Sequence, residues 1–73
     1  MLIMLSLISK REMVARALKA YRMKHEWTLE QMAAVTDLHS STIHKLENGA
    51  TLPHELTLAR LERKLPGLFD AVA

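Results

Sequence analysis

Apolar and polar residues follow one another along this chain at helical rather than strand spacing. After Ser9, the residues Val14, Ala17, Leu18 and Tyr21 recur three and four apart, with Lys10, Arg16, Lys19 and Lys24 between them, as in a helix with one buried stripe. Ser9 and Glu12 have the spacing of a capping box, which sets the start of that helix near Lys10. A second start stands at Thr28, with Gln31 three residues on, and predicts a helix from Leu29 with Leu29, Met32, Ala33 and Thr36 turned inward. Ala33 is small enough to let another helix cross closely. Trp27, just before the cap, has the place of a hydrophobic staple and reads as core, because a lone tryptophan makes a poor base-stacking platform. Asp37, Leu38 and His39 form a turn, after which Ser40 and Ser41 favour a new helix over residues 40–48. That helix buries Ile43 and Leu46 and stops at a left-handed Gly49. Beyond the loop Ala50, Thr51 and Leu52, Pro53 suits the first turn of a helix running to about Lys64. Leu56, Leu58, Leu61 and Leu65 are its apolar face, and Arg60, Arg63 and Lys64 lie late, where they complement its dipole. Pro66 and Gly67 then break the chain, and residues 68–72 have the pattern of one more short helical turn. The expected fold is all-α, a compact domain of four to five helices over residues 9–73.

Two short helices joined by a tight turn across residues 28–49 read as a helix-turn-helix, whose second helix presents Ser40, Ser41, His44 and Lys45 on the face opposite Ile43 and Leu46. The stretch resembles the Cro/repressor-like domains, also called the xenobiotic-response-element (XRE) type. The resemblance rests on the Thr-x-x-x-Met-Ala core of the first motif helix, the Ile43/Leu46 pair, the ending Leu46-Glu47-Asn48-Gly49, and Arg22 six residues before Thr28; it covers roughly residues 14 to 65. It implies a lambda-repressor-like fold and a structural ion pair between Arg22 and Glu47, with guanidinium donors left over for a phosphate. For DNA it implies base reading by Ser40, Ser41, His44 and Lys45, and phosphate contacts from Thr28, Thr42, Asn48 and Thr51, with Arg22, Lys19 and Lys24 as further phosphate candidates. Three positions depart from the pattern. Asp37 stands where a turn glycine is usual, Leu29 where a phosphate-touching glutamine is common, and Glu26 where a glycine usually separates the first helix from the motif, which lets that helix run on toward Trp27.

Residues 1–8, Met-Leu-Ile-Met-Leu-Ser-Leu-Ile, are apolar but for Ser6. The run is far shorter than the roughly 20 residues that span a bilayer, and its basic pair Lys10-Arg11 follows instead of preceding it, which argues against an export signal. It reads as a strand pairing with a second copy, as an arm packed on the domain, or as an upstream extension of a start at Met4 or Met13. The first is favoured, because an apolar strand left unpaired invites aggregation. Leu2, Ile3, Leu5 and Leu7 would then be dimer contacts, and Phe69 and Val72 join them unless they pack on the monomer core.

A chain of 73 residues forms one domain near the size at which a single core becomes marginal, and a dimer would relieve that. With no cysteine it has no disulfide or thiolate site, and the composition suits a reducing cytoplasm. The net charge is only +2, but six basic side chains against two acidic ones give the first 26 residues +4, so local patches rather than total charge must attract phosphate. A solvated basic face on the first helix explains the same pattern without DNA. The four histidines, His25, His39, His44 and His54, lack the i, i+4 spacing of a helical zinc site, and no cofactor is expected. Ser40, Ser41 and His44 share one helical turn without an orienting acid or oxyanion donors, and two glycines make no phosphate loop, so an enzyme is not expected.

These readings converge on a sequence-specific transcriptional regulator, a homodimeric repressor of phage or bacterial type that binds a palindromic DNA operator through residues 40–48 in the major groove. A repressor is the expected sign because a domain of this length is not expected to include a separate sensor. The alternative on the same fold is the antitoxin half of a toxin–antitoxin pair, with a toxin as partner protein; a small structural oligomer without DNA binding is the third class. No membrane partner is expected.

Overall fold

A computed structural model describes residues 9–70 of the chain. The expected dimer contacts Leu2, Ile3, Leu5, Leu7 and Val72, with the apolar arm as a whole, lie outside the described residues. Among the described residues the chain folds into four α-helices: α1 (Lys10–Lys24), α2 (Leu29–Thr36), α3 (Ser40–Glu47) and α4 (Glu55–Lys64). Helix α3 packs against both α1 and α2, and α4 closes over α2.

Side-chain caps start α1 and α2, whereas the N-caps of α3 and α4, His39 and His54, make no side-chain cap bond. At α2 the box is complete: Thr28 Oγ1 accepts from the Gln31 amide at 3.1 Å, and Gln31 Oε1 accepts from the Thr28 amide at 2.8 Å. At α1 it is half-formed, since Ser9 Oγ accepts from the Glu12 amide at 3.1 Å but the Glu12 carboxylate turns toward Arg16, 3.6 Å away. Pro53 does not lie in the first turn of α4. His54, with an extended backbone (φ −64°, ψ 157°), takes the N-cap, and the helix starts at Glu55.

The core is built from Val14, Ala17, Leu18, Met32, Ile43, Leu46, Leu61, Leu65 and Leu68, with Tyr21, Trp27, Leu29, Leu58 and Phe69 packed around it. Thr36 is fully buried with them, and its hydroxyl donates to the Met32 carbonyl at 2.8 Å, so it joins the core without an unsatisfied polar atom. Two positions differ from the helical pattern. Leu56 is 86 % exposed, because it stands five residues before Leu61 and so lies well round the helix from the face that Leu58, Leu61 and Leu65 share. Ala15 is buried although it falls outside the expected stripe; it lies seven residues before Arg22, on the flank of α1 that meets α3. After α4 the chain continues in tight turns, with the Leu68 amide bonded to the Leu65 carbonyl and the Asp70 amide to the Gly67 carbonyl; Asp70 is in 3-10 conformation, and the rest of the short helical turn expected over 68–72 lies outside the described residues. Phe69 is half-buried against the core.

Helix α1 does not run on to Trp27. It stops at Lys24, the Glu26 amide bonds back to the Met23 carbonyl, and the Trp27 amide to the Arg22 carbonyl at 2.9 Å. This is a Schellman ending, which needs a left-handed residue where glutamate stands, and Glu26 takes it at φ 55°. A side chain in that conformation costs roughly 1–2 kcal/mol. Glu26→Gly is therefore expected to stabilise the domain by about 1 kcal/mol, after the greater freedom of glycine in the unfolded chain is deducted. That gain corresponds to a rise of roughly 4–8 °C in the melting midpoint. A midpoint that falls on this substitution would show that the Glu26 side chain contributes something its exposed position does not suggest.

Candidate nucleic-acid interface

The turn between α2 and α3 is set by Asp37, which takes the left-handed conformation (φ 61°) that a glycine would take freely; the Leu38 amide then bonds back to the Ala33 carbonyl at 3.1 Å. The Asp37 carboxylate also lies 3.8 Å from Lys64 Nζ, an exposed contact that adds little. Helix α3 leaves this turn with Ile43 and Leu46 buried. Ser41, His44, Lys45 and Asn48 are exposed, and their spacing of three, one and three residues makes them one outward stripe. Ser40 and Thr42 are only half-buried flanks: Ser40 stands one turn before Ile43 and Thr42 one turn before Leu46, so neither faces solvent fully. The helix ends in a second Schellman pairing, with the Ala50 amide bonded to the Lys45 carbonyl at 3.0 Å and Gly49 at φ 68°. Gly49 thus does what its place in the sequence predicts.

One ion pair ties α1 to the end of α3. Arg22 Nε donates to Glu47 Oε2 at 2.7 Å and Nη2 to Oε1 at 3.0 Å, a two-pronged contact, and Nη1 donates to the Trp27 carbonyl at 3.1 Å. The Glu47 side chain is 5 % exposed and that of Arg22 21 %. The hydrogen bond to Glu47 raises the Arg22 pKa above its ordinary value, against the opposite pull of burial. A basic group with a raised pKa contributes its stability in full below the unfolded pKa, so Arg22 holds its charge and its contribution throughout the neutral range. Three of its five N–H donors are engaged, and two remain.

The other expected phosphate donors fall into two groups. The Thr28 oxygen is used as an acceptor in the capping box, which leaves its hydroxyl hydrogen free at the positive end of α2. Thr51 is exposed in the loop after α3, and Lys19 is exposed one turn before Arg22. Lys24 lies elsewhere. It lines a shallow hollow of about 490 Å³ with Ala20, Tyr21, His25 and Pro66, away from the flank of α1 that meets α3. Leu29 is packed against the core, so it offers no polar contact in place of the usual glutamine.

Sequence reasoning missed two arrangements around this surface. Tyr21, His25 and Trp27 form an aromatic group, with His25 stacked on Trp27 at 4.6 Å between centroids and Tyr21 donating to the Pro66 carbonyl at 3.2 Å. His44 and Asn48 are joined through their side chains at 3.1 Å. The i, i+4 spacing of Tyr21 with His25 and of His44 with Asn48 was the available signal in both cases. Among the described residues no group of three or more His, Cys, Asp or Glu side chains is placed to hold a metal ion, and no helix is long and apolar enough to cross a membrane.

A helix-turn-helix family profile matches residues 18–68. The chain belongs to that helix-turn-helix family. It is also 34 % identical, over 63 residues, to an uncharacterized HTH-type transcriptional regulator of Mycobacterium bovis and to two counterparts in strains of Mycobacterium tuberculosis. Each alignment covers 82 % of this chain but 25 % of the relative, so the chain spans about a quarter of the length of those proteins. No solved structure matches it significantly.

Proposed function

We propose that this helix-turn-helix domain is the DNA-binding element of a transcriptional regulator, which lays α3 in the major groove of a palindromic operator as a homodimer and acts as a repressor. The observation that carries the reading is the outward stripe Ser41, His44, Lys45 and Asn48, held on a helix whose other face is locked into the core by Ile43 and Leu46. Thr28, Thr51 and the spare donors of Arg22 flank that helix with the phosphate contacts that fix its register, and Lys19 adds positive charge on the same side. Lys24, on the other flank, contributes to the general field rather than to a contact. The names of the mycobacterial relatives support the same class of activity.

Selection of binding sites from random duplexes by the purified protein tests the reading, and enrichment of a two-fold symmetric sequence is the expected result. Removal of residues 1–8 is expected to shift the protein toward monomer and to weaken operator binding at least tenfold, since two half-sites bound together gain greatly over one. A truncated protein that still sediments as a dimer would exclude the arm and leave Phe69 as the contact to test. A toxin as partner would show instead as a heteromeric complex that forms without DNA.

A further inference from the structure

We infer that Asn48 is a positioning residue for His44: its side-chain amide holds the imidazole in the tautomer that presents Nδ1–H as the DNA-facing donor, an assignment that rests on the DNA-binding reading above. The contact is 3.1 Å from Asn48 Nδ2 to His44 Nε2. With its nitrogen toward the ring, as placed, the Asn48 amide only donates, so in this arrangement Nε2 is the acceptor and the neutral ring carries its hydrogen on Nδ1. The same two residues are bonded a second time through the backbone, the Asn48 amide donating to the His44 carbonyl at 3.1 Å, and Gly49 fixes the chain immediately after. Both side chains are exposed, so the link does little for the core; its effect is to restrict a ring that would otherwise rotate on the surface of α3.

That restriction has a direct consequence for recognition. A ring offering only Nδ1–H pairs with an acceptor edge, the O6 and N7 of guanine above all, and is mismatched against the amino group of cytosine. The second amide hydrogen and the oxygen of Asn48 stay free, so Asn48 can still reach a phosphate while it orients His44. Specificity at one base pair in each half-site then belongs to the pair of residues rather than to His44 alone.

The test couples a nitrogen-detected NMR measurement of the His44 ring in the free protein with site selection by wild type, Asn48→Ala and Asn48→Asp at about pH 8, where an imidazole is mostly neutral. The wild type is expected to show hydrogen on Nδ1 and to prefer guanine at one position of each half-site. Asn48→Ala is expected to lose about tenfold in discrimination at that position alone, with the remaining positions unchanged. Asn48→Asp, whose carboxylate only accepts, is expected to move the hydrogen to Nε2 and to shift the preferred base toward a donor edge. Hydrogen on Nε2 in the wild type, or an Asn48→Ala variant with the same base preferences and a uniform loss of affinity, would overturn the role of Asn48 and leave the DNA-binding reading intact. A wild type that enriches no sequence would overturn both.

Discussion

Arg22→Ala is expected to destabilise the domain by about 3–5 kcal/mol, the cost of leaving a desolvated carboxylate without its partner. The reason lies in the asymmetry of the pair: the Glu47 side chain is 5 % exposed, so once the guanidinium is gone water has little access to the stranded charge. Glu47→Ala is expected to cost less, about 2 kcal/mol, because Arg22 is 21 % exposed and keeps its bond to the Trp27 carbonyl. On a domain of this size a loss of 3–5 kcal/mol is most of the total stability, so Arg22→Ala should be largely unfolded in urea titrations at concentrations the wild type withstands. The double variant Arg22→Met, Glu47→Leu separates folding from binding. Apolar replacement of both partners is expected to restore stability to within about 1 kcal/mol of the wild type, yet it removes the two N–H groups of Arg22 that remain for a phosphate. A folded double variant with weaker affinity for operator and random DNA alike would show both roles of Arg22; one with unchanged affinity would reduce it to a fold-holding residue. A loss below about 1 kcal/mol in Arg22→Ala would mean that solvent screens the pair as it does a surface contact.

Residues whose information is local were legible in the sequence. The Thr28–Gln31 box, the left-handed Gly49 and the Ile43/Leu46 pair each follow from a spacing of a few residues, and the structure reproduces them. The Arg22–Glu47 pair, 25 residues apart, is not legible from spacing and came only from resemblance to a family. What was misjudged depends on how far round a helix the core reaches. Ala15 is buried although it lies outside the expected stripe, and Leu56 is exposed because the core lies on the side of Leu61. Pro53 and Glu26 show the limits of residue preference: proline suits a first turn but here precedes the cap, and a glutamate takes a position where a glycine is cheaper because the Schellman bonds at Arg22 and Met23 hold it there. In the interface, the sequence placed four residues on one face, but Ser40 is one turn before Ile43 and only half-exposed, so the outward stripe begins at Ser41 and ends at Asn48.

Lys45→Ala is expected to cost about 1–3 kcal/mol on a selected operator and to relax the preference at one base position in each half-site, while the melting midpoint of the free protein stays within a degree or two. Lys45 lies in the exposed stripe one residue after His44 and four after Ser41, in the last turn of α3, so it depends on its long side chain to reach a base edge beside the N-terminal part of the helix. A lysine there can donate to O6 and N7 of guanine together, whereas the Ser41 hydroxyl, able to donate or accept, discriminates poorly. The competing role is a solvated lysine that touches phosphate. The two differ in what they do to the ratio of specific to random binding, because a phosphate contact contributes equally on every sequence and its loss lowers the salt dependence of both by about one ion. Measuring that ratio at two salt concentrations, beside the selection profile of the variant, decides between them: base reading lowers the ratio and flattens one column of the profile, and a phosphate contact leaves both as they were. The same measurement on Ser41→Ala is expected to move the ratio less, since a hydroxyl satisfied by either kind of base edge gives up little discrimination when it is removed.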